Sequence, residues 1–318
     1  MVSLRRQGMK CAPPLGLWGA TAIATLIVLI STYVHSGGDP NRLFNVQRLE
    51  GFKAATVRSA PKIVAIGTSL TWSGLFKDKD MENLAARRGI RLSFLRFTYN
   101  GGQPEDFTAL FPMIIDAHPD LVVIEANLFG LNLHGQSRFT ETLNRHRTAL
   151  CYLVKRSVLQ IPFAEKMLGS WTAIKSDRKF EDIHGNIEDI DLVPGLFEPK
   201  TIDAYRREAA DFQVREFMGC RRFADLFSEA AAAGIGIVFL DIPRAAPAQA
   251  VLSDEFKSRY NALMARYEHT EGMAYWRFPS RLPDRDYYDF AHLNAEGRAA
   301  YSQWFVSQIP SMLKVTAR

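Results

Sequence analysis

Between Cys11 and Val34 the chain carries no charged residue. Within that stretch the apolar run Leu15 to Val34 has about the ~20 residues a helix needs to cross a bilayer. Trp18 and Tyr33 stand near its two ends, as interfacial aromatics do. After a short linker from His35 to Pro40 the pattern changes. Leu43, Val46 and Leu49 recur along one side of a predicted helix from Asn41 to Arg58. Short apolar strands are predicted at Lys62–Ile66, Ile90–Phe97, Asp120–Glu125 and Ile235–Leu240, with a weaker one at Met273–Phe278. Helices are predicted between them at Leu75–Arg88, Pro104 to about His118, Ile202–Ala233, Glu255–Tyr267 and Asn294 to about Leu313. Asn100-Gly-Gly-Gln103 reads as a turn.

Strands alternating with helices predict an α/β fold, with a mostly parallel sheet covered on both faces. The near-continuous apolar character of the strands fits that burial. The expected architecture is a flavodoxin-like three-layer sandwich around five strands, with one N-terminal transmembrane helix ahead of it. In such sheets ligands bind beyond the carboxyl ends of the strands. That rule selects Gly67-Thr-Ser69, Asn100-Gly-Gly102, Ala126-Asn127 and Asp241-Ile-Pro-Arg244.

The expected organisation is a basic cytoplasmic N-terminus at 1–14, a membrane span at 15–34, a linker and helix at 35–60, and one domain at 61–318. Residues 128–200 interrupt the alternation and are too long for a plain connection, so they read as an insertion. Its stretch from Arg138 to Lys166 holds six Lys or Arg against two acids. It fits an anionic membrane face, a cover over the site, or a solvated helical decoration.

Charge refines this picture. The chain has 39 basic and 34 acidic residues, a net +5. Arg5, Arg6 and Lys10 precede the apolar run, and no acid precedes Asp39. The basic flank predicts a cytoplasmic N-terminus and an extracytoplasmic remainder. A cleaved signal peptide is the alternative, and it exports the same domain. With those three bases set aside little net charge is left, so nucleic-acid binding gains no support. Three cysteines are too few for a disulfide scaffold or a CxxC zinc site. Cys151 and Cys220, both on the exported side, are the candidate disulfide pair. His118, His134, His146, His184 and His269 show no ligand spacing, and neither a P-loop nor a GxGxxG follows a strand. No metal or other cofactor is expected.

The remaining candidates form one constellation. Ser69 follows a strand and a glycine and precedes a helix, which puts a hydroxyl at the top of the sheet. A helix N-cap is the simpler role for such a serine. Asp289-Phe-Ala-His292 lies just before the last helix. A histidine that deprotonates a serine needs its second ring nitrogen held by an acceptor. A carboxylate three residues upstream can supply one, although an isolated Asp-x-x-His is more commonly a surface turn. Arg244, after the fourth strand, is a candidate substrate contact or an ordinary salt-bridged surface residue.

Gly67-Thr-Ser69-Leu, Asn100-Gly-Gly102, Ala126-Asn127 and Asp289-Phe-Ala-His292-Leu-Asn together resemble the four blocks of the SGNH (GDSL-like) hydrolases. The resemblance spans Lys62 to Leu313. It implies Ser69 as nucleophile, His292 as general base and Asp289 as its orienting acid. It also implies an oxyanion hole from the Ser69 N–H, the Gly102 N–H (with Gly101 as the alternative) and the Asn127 side chain. The chain departs from the pattern in places: Thr68 replaces the usual Asp of the first block, the spacing to Gly74 is one residue long, and the third block reads Glu125-Ala-Asn127-Leu where the family usually has Gly-x-Asn-Asp. The loose form is similar to membrane-anchored SGNH proteins that add or remove acyl groups on extracellular polysaccharides. The resemblance therefore implies an acyl-ester hydrolase or O-acyltransferase. Its partners would be the membrane, an ester substrate such as a cell-surface polysaccharide, and an acyl-exporting membrane protein. The competing expectation is a non-catalytic polysaccharide-binding or assembly protein that kept the fold.

Overall fold

The computed structural model describes residues 48–53, 60–98, 107, 110–132, 193–214 and 221–316. They all belong to one of two compact units into which the chain divides, the unit made of Phe44–Ser137 and Ala173–Arg318. The predicted membrane span, the basic stretch Arg138 to Lys166, Gly101, Gly102, Cys151 and Cys220 lie outside the described residues. Among the described residues no helix is long and apolar enough to cross a membrane.

Five strands form one parallel sheet: β1 (Lys62–Gly67), β2 (Ser93–Thr98), β3 (Leu121–Glu125), β6 (Gly236–Asp241) and β7 (Met273–Arg277), in the order β2-β1-β3-β6-β7. A two-stranded antiparallel ribbon, β4 (Gly130–Asn132) with β5 (Phe212–Val214), stands apart from it. The described helices around the sheet include α1 (Ser69–Gly74), α2 (Asp78–Arg87), α3 (Phe111–Asp116), α4 (Pro199–Ala209), α5 (Arg221–Ala232), α6 (Ala246–Val251), α7 (Asp254–Glu268) and α8 (Ala295–Thr316).

The three central strands β1, β3 and β6 are apolar at nearly every position because both faces are covered. Along β1, Val64 and Ile66 join one buried cluster with Phe239, Phe129 and Tyr267. Ile63 and Ala65 join the other, with Phe94, Trp276, Tyr301 and Phe305. This is the period-two alternation of a strand, apolar on both sides.

Chain order reverses between β1 and β3. After β1 the chain continues to β2 on one side, whereas β3 leads to β6 and β7 on the other. The crevice at such a reversal is where ligands of open parallel sheets bind. Ser69 leaves β1 there, and Asn127 leaves β3 there.

Two predicted helices are broken. The expected helix Ile202–Ala233 is instead α4, β5 and α5. Phe212 and Val214 alternate around Gln213, and pairing with β4 outweighs the helical tendency of their neighbours. The expected helix Leu75–Arg88 begins only at Asp78. Leu75 is extended (φ −116°, ψ 144°) and fully buried, which ends α1 and separates it from α2. The Arg96 guanidinium, itself buried, donates to the carbonyls of Trp72 (2.9 Å) and Leu75 and so closes the end of α1. Asp78 accepts the Arg96 N–H at 2.8 Å and an ion pair from Arg48.

Candidate active site

Ser69 is the first residue of α1, where a backbone N–H has no partner within the helix. Thr68 caps that helix, its hydroxyl accepting from the Leu70 N–H at 3.2 Å. Across 223 residues of chain, His292 Nε2 lies 2.7 Å from Ser69 Oγ. On its other side His292 Nδ1 stands 2.9 Å and 2.8 Å from the two Asp289 oxygens. An ionised carboxylate only accepts, so Nδ1 carries the proton and Nε2 is left to accept from the serine hydroxyl.

The loop that carries these two residues is held from several directions. Asp289 Oδ1 also accepts the N–H groups of Ala291 (2.9 Å) and His292 (2.8 Å). Burial alone would raise the Asp289 carboxyl, but the bond and charge of His292 and the two backbone N–H groups hold it below the usual carboxylate range. Asp289 therefore stays ionised down through ordinary carboxylate pH values. The Tyr288 ring stacks on the imidazole, with centroids 5.3 Å apart. Leu293 is fully buried. Asn294 accepts from the N–H groups of Glu296 and Gly297 at 3.1 Å each and starts α8. The Leu-Asn of the fourth block thus anchors the loop.

Asn127 is 5% exposed, and its amide is engaged with the backbone of Ile242. Nδ2 donates to the Ile242 carbonyl at 3.1 Å, and Oδ1 accepts the Ile242 N–H at 2.9 Å. Glu125 pairs with Leu240, so the side chain two residues on adds one more rung to the β3–β6 ladder. A buried amide must satisfy its polar atoms, and the strand end beside it offers a matching pair. Only the second Nδ2 proton remains for an oxyanion. Asn127→Ala would orphan two buried backbone groups, and a loss of about 2–4 kcal/mol is expected in urea denaturation.

Arg244 makes no described contact with Ser69 or His292. It lies 5.9 Å from the Phe212 ring centre, and its charge works against the burial that raises the Tyr205 hydroxyl. With Arg277 it offsets the burial that raises the Asp241 carboxyl. Its loop is nevertheless tied to the histidine loop, because the Ala245 N–H donates to the Phe290 carbonyl at 3.0 Å. Tyr205 stacks on Phe290 with centroids 4.5 Å apart.

One residue of the site was not among the candidates. Glu125 ends β3 and is 1% exposed. Its carboxylate accepts the Thr68 N–H (2.6 Å), the Thr68 hydroxyl (2.8 Å), the Thr71 N–H (3.1 Å) and the Thr71 hydroxyl (2.7 Å). Burial pushes this carboxyl up, and the four bonds pull it back only in part. The readable signal was an acid closing an otherwise wholly apolar strand, Leu-Val-Val-Ile-Glu. Gly67 makes room for it. A Cβ there would stand 1.9 Å from Thr71 Oγ1 and 2.5 Å from Glu125 Oε2.

Among the described residues no group of three or more His, Cys, Asp or Glu is placed to hold a metal ion. Ser69, His292 and Asp289 can pass a proton from the serine hydroxyl to the imidazole beside a carboxylate, the arrangement of an activated nucleophile.

No family model matches the chain, and no curated protein matches it. Among solved structures, one similar chain is from Streptococcus pneumonia and is provisionally named a platelet activating factor. It is 14% identical, with 91% of this chain and 99% of that one covered and a TM-score of 0.35. At that distance nothing is carried over from it.

Proposed function

We propose that this protein is a serine acyl-ester enzyme of the SGNH type. The observation that carries the reading is the convergence of Ser69, His292 and Asp289. Ser69 Oγ attacks the ester carbonyl carbon while His292 Nε2 takes the hydroxyl proton. The tetrahedral oxyanion is held by the Ser69 N–H, the Gly102 N–H and the second Nδ2 proton of Asn127. The carbon–oxygen bond to the leaving alcohol then breaks, and His292 returns the proton to that alcohol, leaving an acyl-serine. Water or a sugar hydroxyl attacks next, giving its proton to His292; the bond from the acyl carbon to Ser69 Oγ breaks, His292 returns the proton to Oγ, and the acid or the acylated sugar leaves.

The apolar run and its basic flank support an anchored domain on the extracytoplasmic side. A reporter active only outside the cytoplasm, fused after Arg318, should then be active. An anchored domain stays beside an acyl donor delivered through the membrane, which favours transfer to a cell-surface glycan over hydrolysis. The Tyr205–Phe290 stack and Arg244 next to the histidine loop provide rings and a cation of the kind that hold a sugar and an acidic substituent. Purified full-length protein should hydrolyse an acetyl ester slowly. Adding an acceptor glycan should speed loss of the donor and acylate the glycan. Fast hydrolysis indifferent to glycan would favour an esterase.

The rival is a non-catalytic polysaccharide-binding or assembly protein. It draws on one observation, the engagement of the Asn127 amide with Ile242. Absence of any Ser69-dependent turnover with either substrate would favour it.

A further inference from the structure

Ser69 belongs to a helix of only six residues. A helix that short does not hold itself in water, so the position of its first hydroxyl is set by what the neighbouring strands do to it. Among the described residues, the hydrogen-bond partner of Ser69 Oγ is His292. The residues that bracket it, Thr68 and Thr71, direct their backbone N–H and their hydroxyl to a single carboxylate on the adjacent strand.

We propose that Glu125 is the positioning residue for the nucleophile: its carboxylate gathers the N–H groups and hydroxyls of Thr68 and Thr71, and so sets where Ser69 Oγ stands against His292. The proposal rests on the triad reading above and deepens it.

Three features carry it. Every one of the four partners is a donor, which suits an ionised carboxylate, a group that only accepts. A glutamine in its place would present an NH2 to at least one of those donors. The carboxylate stands on β3, whose strand pairing with β1 and β6 fixes it on both sides. It is therefore a fixed reference, outside α1, for the turn that carries Ser69. Finally, the ordinary N-cap of α1 is already provided by Thr68 to Leu70. The Glu125 bonds go beyond capping, because they join the nucleophile turn to a different strand, the one that also carries Asn127. Serine and the proposed oxyanion donor are thereby referred to one element. The close approach is possible only because Gly67 has no side chain.

The test compares wild type with Glu125→Gln in the full-length protein, following Ser69 modification by a fluorophosphonate as its concentration is varied. This separates reagent binding from the bond-forming rate. A nucleophile misplaced by a fraction of an ångström should lose about 10- to 100-fold in the bond-forming rate, with reagent binding within about twofold. Amide hydrogen exchange of the 68–71 turn should accelerate in the same variant. A purely structural glutamate would lower the melting temperature and leave the bond-forming rate of the folded protein unchanged, and that result overturns the proposal. Should Glu125→Gln fail to fold, Thr71→Val keeps the carboxylate and removes one hydroxyl donor. A loss of about 3- to 10-fold is then expected, and an unchanged rate overturns the proposal. If wild type takes no phosphonate at Ser69, the triad reading fails by itself. Exchange then decides the clamp: protection of the 68–71 turn lost in either variant upholds it, and equal exchange refutes it.

Discussion

Ser69→Ala should lower ester turnover by about 10⁴- to 10⁶-fold, and His292→Ala should do nearly the same. The magnitude follows from the division of labour. Without Oγ there is no acyl acceptor, and without the imidazole the hydroxyl stays protonated and is a poor nucleophile. What survives is transition-state stabilisation by the N–H groups alone. The sharper expectation concerns the double variant. Residues that act as one unit are strongly non-additive, so Ser69→Ala with His292→Ala should be no slower than either single change. The Ser69 change should not disturb the fold, because the only described hydrogen bond of the Ser69 hydroxyl is to His292 and alanine is well accepted in a first helical turn. Steady-state kinetics together with melting curves separate the two effects. Losses that multiply in the double variant would mean that serine and histidine do not work together.

Gly67→Ala should have the largest effect on stability. The added Cβ would fall 1.9 Å from Thr71 Oγ1, 2.7 Å from Thr71 Cβ and 2.5 Å from Glu125 Oε2. None of these atoms is the tip of a long, mobile side chain. Thr71 is 1% exposed and held in α1, and Glu125 is held by four hydrogen bonds. Overpacking of this kind costs about 1–3 kcal/mol, and each buried hydrogen bond opened adds about 1–3 kcal/mol. A total of about 3–5 kcal/mol is expected, which for a unit of this size is roughly 10 °C in melting temperature. Because the clash lies under the nucleophile turn, phosphonate modification of Ser69 should slow even at temperatures where the variant is folded. A melting curve within about 2 °C of wild type would contradict the packing described around Gly67.

The sheet was legible because its strands are short apolar runs, each bounded by polar or glycine residues. Ile63 to Ile66, Leu121 to Ile124 and Ile237 to Leu240 are buried on both faces, and such burial leaves a continuous apolar signature. The helices were less legible. Nothing local marks the end of α1, which is imposed by the buried Leu75 and by a guanidinium from another strand. Phe212 and Val214 are drawn out of a helical stretch by a partner strand 80 residues or more earlier in the chain. Long-range pairing of this kind leaves no periodicity to read.

In the site, Ser69 was placed by the end of a strand and the Asp289–His292 pair by their spacing before a helix. What escaped was relational. Thr68 and Glu125 each read alone as a departure from the block it occupies. In the structure they bond to each other, with the acid on β3 instead of beside the serine. Likewise, Asn127 as a residue type was readable from its position after β3, but the Ile242 backbone that engages its amide was not.

The most direct measurement is the site of covalent modification when the full-length protein is exposed to a fluorophosphonate, read by intact mass and peptide mapping. One adduct per chain, located on Ser69, lost in Ser69→Ala and strongly slowed in His292→Ala, is the predicted result. No adduct on the folded wild-type protein, or an adduct that persists in Ser69→Ala, would contradict the assignment of Ser69 as a nucleophile activated by His292.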